Sequence, residues 1–277
     1  MKELEDYRKA GQELYDKLRL YTFPVAIRYI KDVSEIPERV VRPSLMGQKW
    51  SLCQAFTYAR RWGINVAMTA EDNFCVPSSV SHQWVKVPWE DLLQSQIIQG
   101  WHKDEEAEKR VLSSYMVAFG EGKLDKIKDH KGFIVSPLTN TIIIPDVVLI
   151  YGNPAQMTHI IHSLCYEGKY IPQCSSTGFA ESCQKGALFP LLTGKPEIVL
   201  PGTGDRTLSG TTEDEMAIGI PASLLFYVVD NLFKTGGRLN MGQPIRSLLV
   251  RNLTEKLTPG FEFLHKKIEQ YKKERIE

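Results

Sequence analysis

The chain has 277 residues, a formal net charge of +1, 43% hydrophobic and 24% charged residues, values that suit a globular protein with a substantial core. A charge balance so near neutral excludes a general nucleic-acid coat, which carries a strong basic excess. No apolar run approaches the roughly 20 residues that span a bilayer, and the opening MKELEDYRKAGQELYDKLRL is too charged for a secretory leader.

In chain order, residues 3–20 carry Leu4, Tyr7, Leu14, Leu18 and Leu20 at helical spacing and predict a surface helix. PVAIRYI (24–30) is rich in β-branched residues and predicts a strand; 31–50, with Pro37, Pro43 and Gly47, reads as connection. Ser51 then caps a helix through Trp62, which Gly63 ends. Residues 64–68 predict a short strand, TAEDNFCVPSS a polar turn and 84–87 another strand. Pro88 with Glu90 and Asp91 opens a helix, and 103–122 predicts a further helix with an acidic start and Gly120/Gly122 at its end.

Beyond residue 132 the pattern turns to β: GFIVSPL, TIIIP and DVVLIYG are three apolar runs, the last dense enough for burial on both faces. Asn153-Pro154 starts a helix to about Leu164, 166–179 is loop, and 180–192 is a helix bent at Pro190 and ended by Gly194. A strand (197–200), the turn PGTGD, a strand (216–220) and a helix (221–233) follow, before Gly236-Gly237 and two polar helical segments, 242–257 and 260–275.

Two stretches resemble each other internally. Cys53-Gln54 matches Cys183-Gln184, Gly63 matches Gly194, Asp72 matches Asp205 and Pro88 matches Pro221; VAIRYI pairs with VVLIYG. The expected fold is therefore α/β or α+β: two related strand–helix halves around a mixed sheet, with helical N- and C-terminal additions. The expected divisions are an N-terminal helix (1–23), a core of two repeats (24–125 and 132–235) and a helical extension (236–277).

The candidate chemistry begins with cysteine. Five cysteines cannot all pair within the chain, and a cytoplasmic setting with reduced thiols is expected. Cys53 and Cys183 fall in the first turns of predicted helices, where unpaired N–H groups and the helix dipole favour a thiolate, and Cys75 follows an acidic turn. Their spacing matches no compact zinc or ferredoxin signature, and inert packing of small side chains is the competing reading. His159, His162 and Cys165 share one helix, but residues six apart lie about 120° apart around it, so they cannot all reach one ion. Gly152-Asn153 ends a buried strand at a helix start that can receive an anion or simply be capped. In the PGTGDR turn, Gly204 permits close backbone approach, Asp205 can accept a hydrogen bond and Arg206 can hold an anion. Arg60-Arg61 and Glu71-Asp72 add charges near the same expected crevice, whereas Tyr58, Trp62 and Trp84 read as core.

Four segments carry a family resemblance: LCQAFTYAR with EDNFC, PDVVLIYGNPAQ, AESC leading to PLLTG, and LPGTGDR with DEMAIGIP. Over most of residues 24–235 the chain resembles the prokaryotic domain-of-unknown-function 169 family. The resemblance transfers no activity. It implies a cytoplasmic protein of a kind often found in anaerobes, a setting that suits an oxygen-sensitive thiol or iron–sulfur site, and it aligns Cys53, Cys75 and Cys183 with the family pattern. Where relatives tend to carry a cysteine before the GDR turn, this chain has Gly202, and the final ~40 residues fit the pattern poorly. The leading expectation is a redox-associated protein holding an iron–sulfur cluster or metal through Cys53, Cys75 and Cys183. The alternative is a metal-free enzyme or binding protein for a small anionic metabolite, held by Gly152, Asn153, Gly204, Asp205 and Arg206. The expected partners are a small-molecule ligand or redox protein, with neither nucleic acid nor membrane; self-association is left open.

Overall fold

A computed structural model describes residues 2–117, 124–235 and 259–274. The chain divides into two compact units, Met1–Thr235 and Gly236–Glu277. The first is an α+β fold built on one six-stranded sheet in the order β2-β3-β1-β4-β6-β5. Its strands are β1 (Val25–Ile30), β2 (Val66–Thr69), β3 (Gly132–Pro137), β4 (Val147–Gly152), β5 (Glu197–Val199) and β6 (Met216–Pro221). All named pairings are antiparallel, so the expected mixed sheet is corrected; parallel contacts survive only as isolated bridges.

The strands bury both faces, and the period of two divides their side chains cleanly. Val25, Ile27, Tyr29, Val147, Leu149 and Tyr151 face one layer, formed by α2 (Leu52–Trp62), a π-helix (Glu181–Leu188) and α7 (Phe189–Thr193). Ala26, Ile30, Val148 and Ile150 face the other, formed by α1 (Leu4–Leu18), α6 (Pro154–Cys165) and α9 (Leu225–Asn231). Leu14, Leu18, Leu52 and Phe56 are buried, each stabilising the layers by about 1.5–3 kcal/mol.

Register is shared across the sheet's centre. Val25 faces Pro137 as Val147 faces Pro221. Val66 faces Val135 as Glu197 faces Gly219, and Val41 bridges Val66 as Gln173 bridges Glu197. In this register Pro221 corresponds to Pro137, not to Pro88. Pro88 opens α4 (Trp89–Gln99), which lies with α3 (Val76–Ser81) and α5 (Glu105–Val117) between β2 and β3.

Local signals explain most helix ends. Ser51 and Gln54 form a reciprocal capping box on α2, and Gly63 closes that helix in a left-handed conformation (φ 69°) that a β-carbon disfavours. Asn153 and Gln156 do the same for α6, with Pro154 at its first turn. Two expected strands do not form. Residues 84–87 are loop, and 141–145 are loop because β3 and β4 flank β1 on opposite sides, so their connection must cross the end of β1. The expected turn at PGTGD instead starts α8 (Thr203–Ser209), and part of the TAEDNFCVPSS turn is α3. The end of the 103–122 helix, the Gly236-Gly237 break and the 242–257 segment lie outside the described residues. In the second unit α10 spans Pro259–Glu274. Among the described residues no helix is long and apolar enough to cross a membrane.

The π-helix lies very close to the sheet. A β-carbon on Gly219 would collide with the Gly186 carbonyl, and one on Gly186 would come within 2.7 Å of Leu149. Pro190 has no N–H to donate to that carbonyl, as a regular α-helix would require, which accounts for the wider turn there.

Candidate functional site: a cavity lined by three cysteines

A cavity of about 420 Å³ opens where the first turns of α2, α3, the π-helix and α8 converge. Cys53, Cys75 and Cys183 all line it, as do Gly204 and Asp205; Phe74, Trp101 and Phe179 form apolar walls. Cys53 sits in the first turn of α2, its sulfur 3.0 Å from the Ser51 hydroxyl and donating to the Gly204 carbonyl at 3.6 Å. Cys75 caps α3, and its turn is locked by Asn73, which accepts from the Cys75 amide and donates to the Ser78 and Ser79 hydroxyls. Cys183 is buried in the π-helix and donates to the Ala180 carbonyl at 3.6 Å. Ala180 caps that helix in the left-handed region (φ 49°), a conformation that costs a non-glycine residue on the order of 1 kcal/mol and tends to mark functional sites.

Burial dominates the electrostatics. It pushes the Cys53 thiol up to about 12, with the nearby Asp205 carboxylate adding to the rise. The Cys183 thiol lies well above its ordinary value, through burial and then through Cys75, Asp205 and Cys53. Asp205 is itself raised by burial, although the Ser182 hydroxyl and the Gly202 and Ser182 amides draw it down. Its Oδ2 accepts from those two amides, at 3.2 and 3.4 Å, which ties α8 to the π-helix. Oδ1 is buried and meets no partner in hydrogen-bonding geometry among the described residues. Two thiols and a carboxyl, each with its pKa raised by burial, thus share one half-open cavity.

The structure brings together Cys53, Cys75, Cys183, Gly204 and Asp205. Gly152 and Asn153 lie elsewhere. α6 packs on the opposite face of the sheet, and its start is filled by Gln156, which bonds to the Asn153 amide and donates to the Leu18 and Arg19 carbonyls. Arg206 follows Asp205 but donates to the Thr212 carbonyl. Arg60 is buried against Glu215, and Asp72 is spent on Thr69, Ser44 and Arg42. Trp62 is exposed rather than core, while Tyr58 stacks on Trp50 at 4.1 Å. Cys165 donates to the Tyr170 carbonyl and Cys174 is exposed, so neither belongs to the cavity. Sequence reasoning missed Trp101, Phe179 and Ala180; a left-handed alanine leaves no signature in composition or periodicity.

Fold and cavity together define an α+β protein with a thiol-lined pocket enclosed by helix first turns. The chain belongs to the domain-of-unknown-function 169 family, described as uncharacterised ArCR, which matches residues 13–231. It is also similar to Uncharacterized protein MJ0308 of Methanocaldococcus jannaschii, at 20% identity over 231 residues covering 82% of this chain and 94% of that protein. No solved structure matches it.

Proposed function

We propose that the cavity is the functional site of a redox-associated protein and that Cys53, Cys75 and Cys183 hold an iron–sulfur cluster there. The observation that carries this reading is the convergence of three thiols, from three separate elements, on one cavity. Among the described residues no group of three or more His, Cys, Asp or Glu side chains is arranged to hold a metal ion, so the reading rests on the shared lining of the cavity, and the three side chains would have to draw together around the group. A cluster spreads its thiolates over several metal atoms, whose positive charge would offset the burial that otherwise keeps the Cys53 and Cys183 thiols protonated. Such a group would supply electron transfer or, with only three protein thiolates, an iron open to substrate. The raised pKa values of Cys53 and Cys183 mean that their protons must leave as the ligands bind, so loading is favoured as pH rises. Asp205, with Oδ1 unpartnered, is placed to hold or release a proton beside whatever enters.

Purification under anaerobic conditions, with iron, sulfide and visible-absorption assays, tests the reading. Iron and sulfide should fall in Cys53→Ser, Cys75→Ser and Cys183→Ser and persist in Cys165→Ser and Cys174→Ser. Colourless, iron-free protein would overturn it. One observation favours a second reading, a metal-free pocket for a small organic metabolite: the walls of Phe74, Trp101 and Phe179 suit an apolar body.

We also infer that the two three-stranded halves descend from one duplicated unit. The shared strand registers support this, as do Asp72 and Asp205, each accepting from the backbone amide three residues earlier, Thr69 and Gly202.

A further inference from the structure

A second chamber of about 210 Å³ adjoins the thiol cavity. The two share Gln96, Trp101, Gly178, Phe179 and Thr203, and Trp101 meets Phe179 edge-on with ring centroids 6.4 Å apart. The smaller chamber has polar groups of its own. His102, just past the end of α4, places Nδ1 2.7 Å from Oε2 of Glu108 in the first turn of α5. The Glu108 side chain is 5% exposed and the imidazole 30%. A carboxylate can only accept at Nδ1, so Nδ1 carries a proton, and in the uncharged ring Nε2 is the acceptor. A histidine oriented through one nitrogen by a buried carboxylate, with its ring lining a cavity, is the arrangement of a general base.

We propose that this chamber binds a small molecule with an aromatic or apolar body and an acidic hydroxyl, and that His102 accepts the hydroxyl proton. The body lies along Trp101, Leu112 and Phe179, while Thr177 and Thr203 supply hydroxyls around the polar end. The O–H bond breaks, its proton passes to Nε2, and the resulting oxyanion faces an imidazolium whose charge Glu108 offsets. Glu108 acts through His102 as a positioning residue. The inference stands whatever the neighbouring thiols hold.

para-Nitrophenol is a suitable probe, since it combines an aromatic body with an acidic hydroxyl and its phenolate is yellow. Buffered just below the phenol's own pKa, the full chain should bind it saturably and raise the phenolate band. His102→Gln, at a partly exposed position, should keep its circular dichroism and lose the band, with binding weakened about tenfold, the loss of one hydrogen bond to a charged group. Glu108→Gln should lower the band by removing the negative charge that offsets the imidazolium. Val111→Trp should fill the chamber and abolish binding with the dyad untouched. Nitrobenzene, without the hydroxyl, should not distinguish His102→Gln from the wild type. Absence of a saturable band in the wild type, an unchanged band in folded His102→Gln, or full binding by Val111→Trp would each overturn the proposal.

Discussion

Replacing Glu215 by Gln strands one of the most deeply buried charges among the described residues, the Arg60 guanidinium. The Arg60 side chain is fully buried, donates to both Glu215 oxygens, and lies 4.1 Å over the Tyr151 ring. In that variant it keeps the Thr22 and Thr211 hydroxyls, the ring face and at most one amide oxygen, with no buried countercharge. Removing one partner of a buried pair strands the other charge and costs about 3–5 kcal/mol. Arg61 also donates to Glu215, at 3.1 Å, but is 31% exposed, and such a pair contributes at most about 1 kcal/mol. Urea unfolding should therefore show the midpoint falling by the larger figure at unchanged slope. The double variant Arg60→Met/Glu215→Leu should lose less than Glu215→Gln alone, because no charge is then left stranded. Burial alone would raise the Glu215 pKa, but the Arg60 bonds and the Thr212 amide outweigh it and hold the carboxyl below its ordinary 4.5. The stabilisation is thus complete above the unfolded pKa and lost as pH falls through the lower folded value, so the two proteins should converge in acid. A cost below about 1 kcal/mol, or additive losses in the double variant, would refute the assignment of a desolvated pair.

Burial depresses the His82 pKa from 6.5 to about 4, against the Ser78 carbonyl, which raises it. The unfolded chain then takes up a proton that the folded one refuses, so stability should decline as pH falls from about 6.5 toward 4. Denaturant titrations at several pH values check this, with a shallower slope expected in His82→Gln. Gly219→Ala should destabilise by about 1–3 kcal/mol or more, since its β-carbon meets the Gly186 carbonyl, whereas Gly204→Ala, which faces open space, should stay within about 0.5 kcal/mol by thermal unfolding. Iodoacetamide near neutral pH, followed by peptide mass mapping, should modify exposed Cys174 before Cys53 or Cys183. Equal rates at Cys174 and Cys183 would contradict the burial that keeps the Cys183 thiol protonated.

Much of the fold is legible where the signal is local. Ser51, Gly63, Asn153 and Gly194 mark helix ends because capping is decided within four residues, and the apolar runs of β1, β3 and β4 announce buried strands. Strand order is not local. Nothing in TIIIP distinguishes a strand from a link that must cross the end of β1, because that depends on partners over 100 residues apart, such as Ala26 and Ser136. Cys53 and Cys183 were legible together because each belongs to a helix start that the sequence marks, whereas the helix that Cys75 precedes read as a polar turn. The role of Gly152-Asn153 was not, since an anion site and a self-capped helix share the same residues and only the Gln156 side chain separates them. The His102–Glu108 pair, six residues apart across a loop and a helix start, has no periodicity to betray it.

The outermost strands carry one further consequence. An unpaired strand edge is a template on which another chain can continue a sheet. Here β2 is met along its outer side by Val41 and β5 by Gln173, each through a single parallel bridge. Both borders of the sheet are thereby blunted against strand-by-strand recruitment of neighbours, the route by which exposed edges seed aggregates. Recruitment of a second copy through either border of this sheet is thus disfavoured by the fold itself.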